Sequence, residues 1–92
     1  NYPNPFNPNT VIRYSIPNFT QSGQSGSRVI LKVFDVLGKE IKTLINKDQS
    51  SGTYEVVWNG DDDLGNKVST GIYFYRISSG NFIETKKMML IK

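Results

Sequence analysis

Apolar and polar residues alternate along most of this chain, so its dominant hydrophobic period is two and not the 3.6 of a helix. Ile12, Tyr14 and Ile16 fall on one side of a first run while Val11, Arg13 and Ser15 fall on the other. Pro17 ends that run, because proline cannot donate to a sheet ladder. Over 28–36, Val29, Leu31 and Val33 oppose Ile30, Lys32 and Phe34, and Leu37-Gly38-Lys39 makes the turn. Over 40–46 the inward positions are Ile41 and either Leu44 or Ile45, a shift of phase that predicts a β-bulge. The polar stretch 47–53 reads as a hairpin loop, and Ser78-Ser79-Gly80-Asn81 turns the chain into a last strand over 82–91. Six or seven short strands with turn signals every eight to twelve residues or so predict an all-β fold, an antiparallel immunoglobulin-like β-sandwich of about seven strands.

The stretch 54–77 is the unit around which the other strands are expected to pair. Tyr54, Val56 and Trp58 alternate with Glu55, Val57 and Asn59, which puts the large apolar side chains on one face. Asn59-Gly60 is a turn dipeptide, and Asp61, Asp62, Asp63, Gly65 and Asn66 keep the chain in solvent until Val68. The run 72–77 is then dense in β-branched and aromatic residues. Gly71-Ile72-Tyr73 suggests a tyrosine corner, in which a hydroxyl near the start of strand F bonds back to the backbone. Tyr73, Tyr75 and Ile77 would then form the inward face; the alternative is that these are ordinary strand tyrosines.

The whole chain, 92 residues with 37% hydrophobic content, suits a single β-sandwich domain over 1–92. Three of the four prolines fall in 1–9, which reads as a Pro/Asn-rich segment leading into the domain. Its aromatics Tyr2 and Phe6 are expected to fold back onto the sandwich, with a proline-rich ligand for another module as the alternative. The Gly/Ser/Gln-rich stretch 18–27 has no period and predicts a flexible loop; its Asn18-Phe19-Thr20 match to the N-glycosylation pattern is too short to weigh. Opening at Asn1, the chain reads as a piece of a longer polypeptide.

Cysteine and histidine are both absent, which removes disulfides, the commonest metal ligand and the usual nucleophile–base pairs. Any catalysis would have to run on carboxylates and lysines. The net charge of +3 is spread too thinly for a nucleic-acid footprint, and no apolar run approaches a membrane span. Asp61, Asp62 and Asp63 beside Gly65 and Asn66 invite a calcium reading. Counted from Asp61, however, the sixth and twelfth positions are Asn66 and Ile72 where a calcium loop needs Gly and Glu, so a solvated turn is expected. Any two of Asp61, Asp62, Asp63 and Glu55 could serve as a hydrolytic carboxylate pair, yet nothing nearby promises a cleft. Exposed aromatics could stack on sugars, but most sit at alternating strand positions where core is the simpler account. Neither a cofactor nor a metal is expected. Lys86-Lys87, ahead of Met88-Met89-Leu90, reads either as an edge gatekeeper or as part of an address.

Four blocks in order, NYPNPFNPNTVIRYSIP, VFDVLGKEIKTL, GTYEVVWNGDDDLGNKVSTGIYFYRI and TKKMMLIK, resemble the C-terminal sorting domain of the type IX secretion system. More narrowly, they resemble its variant (type A, or Por secretion tail) related to the immunoglobulin-like domain of the flagellar hook-capping protein. The resemblance implies a seven-strand sandwich at the C-terminus of a larger exported protein, which reaches the outside or the cell surface through the periplasm. Its partners would be an upstream passenger domain, the outer-membrane type IX translocon and a sortase-like peptidase that often removes the domain. The opening motif falls on Tyr2, Pro3, Asn4, Pro5 and Phe6, and the mid-chain motif on Asp35, Val36, Leu37, Gly38 and Lys39. The remaining recognition residues are Gly71, Tyr73, Lys86, Lys87, Leu90, Ile91 and Lys92. The alternative is a non-catalytic immunoglobulin-like spacer, or a carbohydrate-binding accessory module of a secreted enzyme.

Overall fold

The computed structural model describes residues 10–17 and 27–91. Six strands are found there, one fewer than the expected seven: β1 (Thr10–Ile16), β2 (Ser27–Phe34), β3 (Glu40–Gln49), β4 (Gly52–Trp58), β5 (Gly71–Ser79) and β6 (Phe82–Leu90). All pairings are antiparallel. β1 and β4 form a two-stranded sheet, and β3-β2-β5-β6 form a four-stranded one. This is the order of an immunoglobulin sandwich, with a B–E pair facing a C′-C-F-G sheet and β5 in the place of strand F. The opening motif at 2–6, Lys92 and, apart from Ser27, the loop expected at 18–27 lie outside the described residues; Ser27 itself begins β2.

The alternation read from the sequence sets the faces. Ile12, Tyr14 and Ile16 of β1 are buried, as are Val29, Leu31 and Val33 of β2, Trp58 of β4, Tyr73 and Ile77 of β5 and Leu90 of β6. Tyr54, Val56 and Tyr75 pack against this cluster from partly buried positions. At β3 the shift of phase is resolved by two irregularities. The partners of β2 skip Leu44 between Leu31 and Lys32, and skip Ile41 between Val33 and Phe34. The two bulges let Ile41, Leu44 and Ile45 all turn toward the core, where a regular strand would expose at least one of them.

Two links depart from expectation. β4 and β5 do not pair with each other, so 59–70 is a crossover between sheets and not the tight connection of one two-strand unit. The chain likewise crosses sheets at Ser50 and Ser51, because β3 pairs with β2 and β4 with β1; 47–53 is no hairpin loop, and its first half extends β3 to Gln49. Strand β2 also stops at Phe34, short of Val36. Asp35 Oδ1 accepts the N–H groups of Leu37 and Lys39, each at 2.9 Å, and the Asp35 backbone bonds Gly38 and Lys39 at 3.0 Å, which closes the β2–β3 turn. The β5–β6 hairpin turns on Gly80 and Asn81, with φ +58° at Gly80 as a type II′ turn requires of its first central residue.

The crossover depends on Gly60, whose φ is +71° and where an added Cβ would lie 3.1 Å from Leu90 Cδ2, a fully buried side chain. Gly65 has a similar φ of +87° but open space around it. Gly65→Ala is therefore expected to cost about 1 kcal/mol from backbone strain alone, and Gly60→Ala about 2–3 kcal/mol from strain plus crowding. Urea unfolding with unchanged m-values measures both; equal costs would show that Leu90 yields freely.

Candidate functional site

Strand register collects one end of the sandwich from distant parts of the chain. Thr10 pairs with Trp58, Phe34 with Phe74, and Gly71 with Leu90, while the rings of Trp58 and Tyr73 meet edge-on at 5.0 Å between the sheets. The start of β1, the end of β2, both ends of the crossover and the end of β6 thus lie together. A groove of about 380 Å³ opens at this end, lined by the turn after β2, Ile41 of β3, and 68–73 at the head of β5. Leu37, 90% exposed, and Val36 stand at its rim.

The groove wall is rigid for identifiable reasons. The Tyr73 hydroxyl donates to the carbonyl of Ser69 at 2.6 Å, so the expected tyrosine corner is present and fixes the approach to β5. Trp58 Nε1 donates to the Asp61 carbonyl at 2.9 Å, which gives the buried indole its one polar partner. Asp61 Oδ2 in turn meets Lys42 Nζ at 2.9 Å, tying the crossover to β3. Asp63 adds two bonds to the same strand: its N–H donates to the Ile41 carbonyl and its Oδ1 accepts the Thr43 N–H, each at 3.1 Å.

The three adjacent aspartates therefore serve three separate partners. Asp62 Oδ1 accepts the backbone N–H groups of Asn66 at 2.8 Å and Leu64 at 3.0 Å, and the bond from Asn66 is the leading cause of a pKa below the ordinary aspartate value. They do not converge as a calcium site would need, and among the described residues no cluster of three or more His, Cys, Asp or Glu could hold a metal. Glu55 faces outward from β4, held by Arg13 at 2.8 Å, so it cannot pair with these aspartates as a hydrolytic couple. The aromatic side chains are largely spent on packing. Tyr14 stacks on Tyr54 at 5.5 Å and donates to Gln49 Oε1, Trp58 and Tyr73 are buried, and Arg76 lies 4.6 Å above the Phe34 ring.

Of the residues singled out in the sequence, Gly71, Tyr73 and the Asp35 turn line the groove, and Leu90 is buried opposite Gly71 with Ile91 half-exposed beyond it. Lys86 and Lys87 stand apart from them. They lie mid-way along β6, opposite Tyr75 and Phe74, and as neighbours on a strand they face opposite sides of the sheet. Lys86 points to the inner side beside Glu84, at 4.0 Å, and Lys87 points outward. Their adjacency is in sequence only. The residue that sequence reasoning missed is Lys42, and no local pattern connects it to Asp61, or the Ile41 carbonyl to Asp63.

A family model described as the FlgD Ig-like domain matches residues 18–82. The chain belongs to that family. The match ends at the first residue of β6, so the strand with Lys86 and Lys87 falls beyond it. The crystal structure of FlgD from P. aeruginosa has the same fold, with a TM-score of 0.65 at 23% identity over 89% of this chain. This FlgD Ig-like domain spans 59% of the length of that solved chain. No curated protein matches it.

Two measurements probe this end of the domain. Tyr73→Phe removes only the corner hydroxyl and leaves the Ser69 carbonyl without its partner, so a loss of about 1–2 kcal/mol in urea unfolding is expected. Because the folded-state pKa of Asp62 is depressed, its contribution is present above the ordinary value of 3.8 and is lost as pH falls through the lower folded value. The urea midpoint of Asp62→Asn is therefore expected to fall less steeply than that of the parent when pH is lowered from neutral through this range.

Proposed function

We propose that this FlgD Ig-like domain is a non-catalytic address: a sorting domain that directs a passenger protein across the outer membrane by type IX secretion. The observation that carries the reading is the convergence of motifs far apart in the chain. The Asp35 turn and Gly71 with Tyr73 are separated by more than thirty residues, yet they line one groove, and the end of β6 pairs alongside Gly71. A binding surface assembled this way is rigid, because the tyrosine corner and the lacing of the crossover to β3 fix its walls. Exposed Leu37 and Val36 at the rim supply the apolar contact that a receptor would cover. The translocon and a sortase-like peptidase would be the partners, an upstream passenger the cargo, and the outside or the cell surface the destination.

The second reading is an immunoglobulin-like spacer, and the family match itself favours it, since that match describes an Ig-like module and reaches no further than 82. A carbohydrate-binding role finds less support, because the described aromatics are mostly buried or covered.

Fusing this domain to the C-terminus of a periplasmic reporter in a bacterium with type IX secretion separates the readings. A sorting domain places the reporter outside the cell in a translocon-dependent way, and a spacer leaves it in the periplasm. Leu37→Asp, at an exposed turn position where a stability change within about 0.5 kcal/mol is expected, should reduce export several-fold. Lys86→Ala with Lys87→Ala tests the terminal motif with the strand intact; removing 86–92 would also remove Leu90 from the core and confound folding with recognition.

A further inference from the structure

The outward surfaces of the two sheets treat charge differently. On the two-stranded sheet, Arg13 is paired with Glu55 at 2.8 Å and Ser15 with Thr53 at 3.2 Å. On the β3–β2 half of the larger sheet, Arg28 faces Asp48 at 3.7 Å and Lys32 faces Glu40 at 3.0 Å. The β5–β6 half breaks this habit. Register places Ile72 beside Met89 and Phe74 beside Lys87, with Arg76 and Thr85 as the next pair and Ser78 and Ile83 beyond them. These positions alternate with the buried Tyr73, Ile77 and Leu90, so they share the outer face. Ile72, Ile83 and Met89 are 38%, 65% and 56% exposed. Arg76 and Lys87 have no carboxylate partner among the described residues, and Arg76 rests on an aromatic ring instead.

We propose that this outer face of β5 and β6 is a docking surface for a segment of a partner protein that presents carboxylates on an apolar background. Two cations set in an apolar field are the complement of such a segment, and the field lowers the screening between the charges once it is covered. The segment lies across the face and does not extend the sheet, because Glu84 and Lys86 point to the inner side of edge strand β6 and would be trapped by a strand added there. Ile72 also lines the groove, so the face continues the surface described above. The inference deepens the sorting reading by naming the chemistry of the partner, and its first test does not depend on that reading.

The test is an NMR titration of the full 92-residue chain with a short synthetic peptide of leucine and glutamate, and with a twin in which every glutamate is replaced by glutamine. Saturable shifts centred on Ile72, Phe74, Arg76, Lys87 and Met89 are expected for the acidic peptide, with binding roughly tenfold weaker for the twin and for Arg76→Gln with Lys87→Gln. Arg13→Gln should bind as the parent does. Lys87→Gln alone, which leaves Arg76 on Phe34, should give an intermediate loss with an unchanged unfolding midpoint. Equal binding of both peptides, shifts centred on Arg13 and Glu55, or no saturation at millimolar peptide would each overturn the proposal. The double variant is then carried into the export assay. Lost peptide binding with intact export would sink the link to sorting and leave the surface standing, whereas intact peptide binding sinks the surface whatever export does.

Discussion

The two sheets of this domain share no backbone ladder, so their union rests on side chains, and Trp58 is the one that everything else is fitted to. It ends β4, meets the ring of Tyr73 edge-on at 5.0 Å, and spends its N–H on Asp61 three residues later. The edge-to-face contact uses the positive rim and negative face of the two rings, and an indole buries the largest apolar area of any side chain. Each neighbour of that contact then has a defined task. Gly60 keeps clear of Leu90, Asp61 reaches Lys42, and Tyr73 bonds back to Ser69. Trp58 therefore ties β4 to β5, and Gly60 and Asp61 just after it set the crossover against β6 and β3.

A two-stranded sheet cannot cover a four-stranded one, and the outer strands of the larger sheet show how the shortfall is met. The inner side of β6 carries Glu84 and Lys86 between Phe82 and Met88, and the inner side of β3 carries Lys42 and Lys47 beside its bulged apolar residues. Inward charges at sheet edges oppose pairing with another chain, and bulges twist an edge away from a flat template. Among the described residues, these inward charges and bulges guard both edges of the larger sheet in a chain that has no cysteine.

Functional inference in such a fold follows from where the chain does not satisfy itself. The aspartates of the crossover, which look chemically ready in sequence, are consumed by Lys42, Thr43 and their own turn. The β1–β4 face balances its charges. By contrast, the groove rim exposes Leu37, and the β5–β6 face leaves Arg76 and Lys87 without carboxylates among the described residues. Those two surfaces are contiguous through Ile72, which is what a single recognition event spanning both would require.

Alternation marks most of the strands and the faces along them, because the pleat enforces it locally, although β3 runs on to Gln49 through a stretch that reads as a loop and β2 stops short of Val36. Val29, Leu31 and Val33, or Tyr54, Val56 and Trp58, needed no partner to be read. A turn around Gly38 and a bulge in β3 are legible in the same way, and Gly71-Ile72-Tyr73 offers the tyrosine corner as one of two readings, each a local backbone demand; Asp35 reads as strand, and its place in the turn comes from the bonds it accepts there. The opposite facing of Lys86 and Lys87 was legible by the same alternation, although their adjacency invited reading them as a pair. What no run of residues reveals is that β4 pairs with β1 and not with β5, that 47–53 crosses between sheets, and that both Leu44 and Ile41 are the bulged residues. Sheet partnership is a competition among whole strands separated by tens of residues, and its outcome is set by the summed fit of a core such as the one around Trp58. No local pattern carries that sum, and so the groove, which joins the β2–β3 turn and Ile41 to 68–73 at the head of β5, was invisible until the chain was closed.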